Sequence, residues 1–330
     1  MTFYPVAFLV GLVLAFEFVN AYLNAPDSIA SIASTGVLKP HQAVAWVALF
    51  GGAGFFVFGL PVATLMATGL VDATRVDPAA LACALLTAIA WHLVAARRRV
   101  PTSAAHALVG GLIGAMAAKA GAQGLVAEGV VKIVLVAVAA PMIAFVVGAL
   151  LMVAMSWAFV RATPRLADSW LRRAQLVSSA LLSLGHGSNN AQKTVGVAWL
   201  ALIAGGWSLP EGAPPAWVVA ASYAAVAAGT LVGGRRIIRT MGQKFARLRP
   251  VGGFCAEAGA AATLLSTLAA GTPVSPKHTI TGAIAGAASA HRVSAFRWDL
   301  AAELLWPAIL TIPATATLAA IAWWIAQHLL

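Results

Sequence analysis

Pro101-Thr-Ser-Ala-Ala-His106 and Pro273-Val-Ser-Pro-Lys-His278 share one frame, Pro-x-Ser-x-x-His, and each begins 18 residues after a cysteine, Cys83 in the first case and Cys255 in the second. Two polar hexapeptides at the same distance from matching cysteines mark an internal duplication. Further upstream, Leu23-Asn24-Ala25-Pro26-Asp27 parallels Asn189-Asn190-Ala191-Gln192-Lys193. The chain reads as two similar halves, 1–160 and 174–330, joined by a basic linker over 161–173.

The surroundings of these segments decide the class. Of 330 residues, 61% are hydrophobic and 9% charged, whereas a soluble domain carries about 25% charge. That excludes a soluble enzyme. The 30 Gly and 16 Pro are scattered among long apolar runs, which excludes collagen, coiled coil and a disordered chain. Apolar segments fall at 4–23, 42–71, 79–96, 107–118, 125–160, 174–206, 215–233, 251–270, 279–290 and 299–328. Many reach the ~20 residues that one helical pass needs and far exceed the ~10 of a barrel strand. The expectation is an all-α polytopic membrane protein of about ten to twelve passes. The first run lacks a basic start and a small-residue cleavage site, so it reads as a retained helix.

The formal charge of +11 would suggest nucleic acid in a soluble protein, but its placement argues against that partner. Arg161, Arg165, Arg172 and Arg173 cluster in one break of the apolar pattern, and Arg235, Arg236, Arg239, Lys244, Arg247 and Arg249 in another. Cytoplasmic loops carry such clusters. Gly206 to Ala216, between them, holds no Lys or Arg and reads as an outside turn. The two cysteines offer neither a metal cluster nor a disulfide framework, and nothing calls for a cofactor.

If each half crosses an odd number of times, the halves insert with opposite orientation, the inverted repeat of many secondary transporters, whose sites sit where helices are broken. Pro26, Pro101, Pro273 and Pro276 are read as the breaks. Exposed backbone there is tolerated only against protein or a wet cavity, so the polar residues beside it are site candidates. Asn24, Ser28, Ser103, Asn189, Asn190, Gln192 and Ser275 supply neutral donors, Lys193 and Lys277 supply positive charge, and helix N-termini add N–H groups. Together they suit an oxyanion. Ionisable groups within a membrane mark transport paths, which singles out Asp27, read also as a substrate contact, and Glu257 as coupling candidates. Lys277 reads equally as a substrate contact or as a solvated hairpin-tip charge, and His106 and His278 as packing residues or proton carriers. Gly185-His186-Gly187 lacks the strand-turn-helix context of a nucleotide loop.

Glu17-Phe-Val-Asn-Ala-Tyr-Leu-Asn24-Ala-Pro-Asp27, Gly185-His-Gly-Ser-Asn-Asn190-Ala-Gln-Lys193 and Pro273-Val-Ser-Pro-Lys-His278 together resemble, in order and over essentially the whole chain, the inorganic phosphate transporter (PiT) family. The resemblance implies an inverted-repeat fold with re-entrant hairpins, in a plasma membrane, moving phosphate with sodium or protons; one bacterial branch carries sulfate. The chain departs from the pattern at informative places. Asn24 stands where the family has Asp, Asp27 where it has Asn, and Asn190 again where it has Asp. Hairpin hydroxyls give way to Ala104 and Ala105, and to Pro276 and Lys277. Phosphate is the first expectation and sulfate the second, with doubtful sodium dependence because two carboxylates that would hold the ion are lost and an added ammonium can take the place of a mobile co-ion. A transport-dead sensor is the third. Ser103 with His106, and Ser275 with His278, would fit a nucleophile and base, but catalysis needs one asymmetric site and this pair occurs twice. No enzyme is expected. Assembly as a homo-oligomer fits the class.

Overall fold

A computed structural model describes residues 3–98, 100, 102–244, 250–290 and 298–329, and they are almost wholly helical. Among them the only β pairing is a bridge between Val71 and Leu125. Lipid imposes this, because it offers backbone groups no partner and a helix satisfies them internally. The elements are α1 (Phe3–Ser34), α2 (Pro40–Ala53), α3 (Pro61–Thr64), α4 (Pro78–Arg98), α5 (Ala104–Ala120) and α6 (Ala127–Ala158), followed by α7 (Pro164–Ala204), α8 (Ala216–Lys244), α9 (Pro250–Ala269), α10 (Pro276–Ser289) and α11 (Trp298–Leu329). Each apolar run of the sequence thus becomes one helix or, at 42–71, a bent pair.

Among the described residues seven helices are long and apolar enough to cross a membrane, and eight if the pair 40–56 and 61–69, bent by 75°, counts as one span. This is fewer than the apolar runs suggested. At 14 residues, α10 is too short to qualify. At 41 residues, α7 has the length, but buried Ser, Asn, Gln and Lys side chains lower its hydropathy. The chain is a multi-pass membrane protein.

Glycine pairs at equal spacing set two close helix contacts. Gly110 and Gly114 on α5 recur as Gly282 and Gly286 on α10, each pair four apart on one helix face. The first pair lies against the backbone of α11 at Ile312 and Ala316, and the second against that of α6 at Pro141 and Phe145. A methyl group at Gly114 or Gly286 would collide with a carbonyl oxygen of its partner helix. Small residues bring helix backbones close where lipid gives no hydrophobic drive to associate. Each half therefore lends its short helix to the long last helix of the other.

Pro26 does not break a helix. It lies inside the continuous α1, where the lost hydrogen bond is local and neighbouring helices tolerate it. One break lies where it was expected, at 270–275 around Pro273 before α10, and another, at Val57–Leu60 between α2 and α3, was not among the expected ones. Pro276 opens α10 at its first position, where a missing N–H costs nothing. Pro101 lies outside the described residues.

Of the basic linker, Pro164 to Arg173 form the first turns of α7, capped by Thr163, whose hydroxyl accepts from the Leu166 N–H at 3.4 Å. Arg172 pairs with Asp168 at 2.7 Å and donates to the Gly36 carbonyl beyond α1 at 3.3 Å. Arg235, Arg236, Arg239 and Lys244 fall in the last turns of α8, and Arg247 and Arg249 lie outside the described residues. Cys83 and Cys255 are both buried.

Candidate functional site

Polar residues on α1 recur at spacings of three and four: Glu17, Asn20, Asn24, Asp27, Ser28 and Ser31. On a helix such spacing makes one stripe. α7 answers with Gln175, Ser178, Ser179, Ser183, His186, Asn190, Lys193 and Thr194. The two helices pack together, and their stripes meet. The Thr194 hydroxyl donates to Glu17 Oε2 at 2.8 Å, Asn20 Nδ2 donates to Glu17 Oε1 at 3.2 Å, and Asn24 Nδ2 donates to Asn20 Oδ1 at 2.6 Å. Lys193 Nζ donates to Asn190 Oδ1 at 2.9 Å and to the Val274 carbonyl at 3.4 Å.

Two short helices close the space from the other side. The Ser103 hydroxyl accepts from the His106 N–H at 3.3 Å and caps α5; that of Ser275 accepts from the His278 N–H at 3.5 Å and caps α10. The Pro-x-Ser-x-x-His frame is thus a helix N-cap used twice, and the two imidazoles meet with ring centroids 5.5 Å apart. Early N–H groups of a helix have no carbonyl partner within it and carry the positive end of its dipole.

These four elements border one small cavity. Asn20, Asn24 and Asp27 of α1, His186, Asn190 and Lys193 of α7, Thr102 to Ala105 at α5, and Ser275 to Lys277 at α10 line it. Asn24, Asp27, Ser103, Asn190, Lys193, Ser275 and Lys277, all singled out in the sequence, share this one space. Asp27 Oδ2 is buried without a hydrogen-bond partner, and the Lys277 ammonium is near enough to act on it electrostatically. Ser28 lines an adjoining small cavity, where it bonds His186 Nδ1 at 2.5 Å; Asn24, His186 and Asn190 border both spaces.

Asn189, Gln192 and Glu257 lie outside. Asn189 Nδ2 donates to the Val274 carbonyl at 2.8 Å and its Oδ1 accepts from the Val274 N–H at 3.2 Å. Gln192 does the same at the other break, donating to the Gly59 carbonyl at 2.8 Å and accepting from the Val62 N–H at 3.0 Å. Both side chains are spent on backbone that lipid could not satisfy. Glu257 on α9 takes hydrogen bonds from Gln175 Nε2 at 3.1 Å and the Ser178 hydroxyl at 2.9 Å, away from the cavity lining. The spacing of Glu17 and Asn20 to Asn24 marks them in the sequence, and His186 and Thr102 lie within the quoted motifs. Among the described residues no group of three or more His, Cys, Asp or Glu could hold a metal ion.

The chain has clear relatives. A protein of Rhizobium meliloti (strain 1021) described as "Probable low-affinity inorganic phosphate transporter" is 45% identical over 97% of this chain and 96% of its own length. One of the same description from Bacillus subtilis (strain 168) is 35% identical over 94% of each. A solved structure described as "The sodium-dependent phosphate transporter" superposes with a TM-score of 0.86, covering 98% of this chain and 100% of that one at 18% identity, and so shares the fold. Residues 20–319 match the phosphate transporter family, and to that family the chain belongs.

Proposed function

We propose that the cavity binds inorganic phosphate and that the chain carries it across the plasma membrane as a secondary transporter, with the two halves inserted as inverted repeats. The observation that carries this reading is the meeting of two Ser-capped helix N-termini and two lysines in one cavity built from both halves. Such an arrangement favours an oxyanion through N–H groups, dipoles and ammonium charge together. The five helical elements of each half, with α2 and α3 taken as one bent span, support the inversion. The relatives' descriptions as phosphate transporters support the substrate.

Lys193 and Lys277 supply fixed positive charge where a co-transported cation would otherwise supply it, so transport depends weakly on sodium. Coupling falls to protons, with Asp27 and Glu257 as the membrane-embedded carboxylates that serve it. Purified protein in lipid vesicles tests this by uptake of labelled phosphate and, separately, labelled sulfate, with sodium or choline outside. Phosphate uptake in both salts is expected. Sulfate uptake alone would make the chain a sulfate permease, and uptake of neither would make it a sensor.

A further inference from the structure

The cavity is furnished almost entirely for an acceptor. Lys193, Lys277 and the first turns of α5 and α10 offer hydrogens or positive charge. Most oxygens around them are committed: those of Ser103 and Ser275 cap their helices, and Asn190 Oδ1 accepts from Lys193. Asp27 is the exception. Its carboxylate takes part in none of the ion pairs among the described residues, and Oδ2 is buried with no partner. A buried, unpaired carboxylate oxygen is costly and calls for a donor. A carboxylate facing an anion site also repels any anion unless a hydrogen lies between the two.

Resting on the reading of the cavity as an oxyanion site, we infer that Asp27 is the residue by which this chain tells phosphate from sulfate. Phosphate at neutral pH keeps a proton on one oxygen, and that P–OH donates to the Asp27 carboxylate. Sulfate has no hydrogen to offer and meets only repulsion. Lys277, in the same cavity but in no ion pair with Asp27, offsets the carboxylate's charge without occupying its oxygen. It attracts either anion and adds nothing to the choice between them. His186 and Lys193 of α7 and Lys277 of α10 are the other titratable groups lining the cavity with Asp27. His186 is engaged with Ser28, and Lys193 with Asn190 and Val274. The Asn24 amide oxygen is the neutral acceptor nearest in role to Asp27, and a neutral acceptor forms the weaker bond.

The test is competition against labelled phosphate uptake by vesicles holding the full chain, at constant pH and sodium, with unlabelled phosphate, arsenate and sulfate. The parent should need roughly 100-fold more sulfate than phosphate for half-inhibition, with arsenate, which also carries a proton, close to phosphate. Asp27→Asn should bring the sulfate-to-phosphate ratio below about 10, mainly by weakening phosphate, and Asp27→Glu should restore part of it. Lys277→Met should weaken both anions by one factor and leave the ratio where it was. Should a variant or the parent fail to transport, equilibrium binding of the same anions to the purified protein gives the ratio directly. Failure of transport alone would then count against the transport reading and not against Asp27. The inference is overturned if Asp27→Asn keeps the parent's ratio, if the parent binds sulfate as well as phosphate, or if Asn24→Ala moves the ratio and Asp27→Asn does not.

Discussion

Asn189 and Asn190 are neighbours of the same type on the same helix, and the structure gives them unrelated work. Asn190 lines the cavity and accepts from Lys193, while Asn189 faces away and holds the Val274 peptide with two hydrogen bonds. About 100° of helical rotation separates consecutive residues, and it is enough to divide α7 into a side that faces solute and a side that repairs backbone. α1 differs. Its stripe bonds mainly within itself and to α7, through Glu17, Asn20, Asn24 and Thr194, and none of its amides clamps a broken segment. A helix that serves two breaks must be more polar than one that serves none, which is why α7 falls short of an ordinary apolar span.

The largest effect should come from breaking the clamps. Gln192→Leu leaves the buried Val62 N–H unpaired, at about 1–3 kcal/mol, and frees the more exposed Gly59 carbonyl as well. Thermal unfolding in detergent should show a clear loss of stability for Gln192→Leu and for Asn189→Leu, and a loss below about 1 kcal/mol for Asn190→Ala, whose side chain holds no backbone. Equal losses in all three would erase the division of α7 into two sides.

Next in size is the converse measurement on the cavity side. Asn190→Ala and Asn24→Ala should each cut phosphate uptake by about tenfold or more, the scale of one or two hydrogen bonds to a charged ligand, at near-parental stability. Uptake by vesicles containing equal amounts of folded protein decides it. Parental rates for both would detach the cavity from the substrate.

A sharper contrast opposes embedded and exposed carboxylates. Asp27→Asn should reduce uptake severalfold, whereas Asp72→Asn and Asp77→Asn should leave it within about twofold, because neither carboxylate lines the cavity. Asp72 accepts from the Thr74 hydroxyl at 2.6 Å, which with the other Thr74 and Arg75 contacts holds its carboxyl below the usual range. Asp77 pairs with Lys119 between passes. Both are loop-fastening groups. Similar losses from all three would remove Asp27 from the transport cycle.

How much of this could be read in advance depended on whether the signal was local. The apolar runs became helices because twenty apolar residues in lipid have few alternatives. The repeated Pro-x-Ser-x-x-His frame led to the site because an N-cap is written within four residues, Ser103 to His106 and Ser275 to His278. That Asn189 and Gln192 turn from the cavity to backbone was illegible for the opposite reason. Their partners, Val274, Gly59 and Val62, lie 85, 133 and 130 residues away, and only the packed bundle brings them together. Pro26 failed as a break because proline is a weaker signal in a membrane, where neighbouring helices support the freed carbonyl. Glu17 is legible, since its spacing to Asn20 and Asn24 already draws the stripe.

The smallest expected effect concerns the co-ion, and it compares the two hairpin helices. They open alike, with Ser caps at 103 and 275, but α5 continues with Ala104 and Ala105 where α10 has Pro276 and Lys277. Only α10 thus adds a charge to the cavity. An ammonium at that place supplies part of what a sodium ion would bring, and it does so without an entropy cost for capturing a free ion. Replacing external sodium by choline at constant pH should therefore change the parent's initial rate of phosphate uptake by less than about twofold, under 0.5 kcal/mol on the conversion of 1.36 kcal/mol per tenfold. Lys277→Thr makes α10 resemble α5 in charge, and its residual uptake should fall further in choline than in sodium. A parent rate that collapses in choline would show that the lysine does not stand in for the cation. A Lys277→Thr variant indifferent to both the salt and the phosphate concentration would place Lys277 outside the binding site.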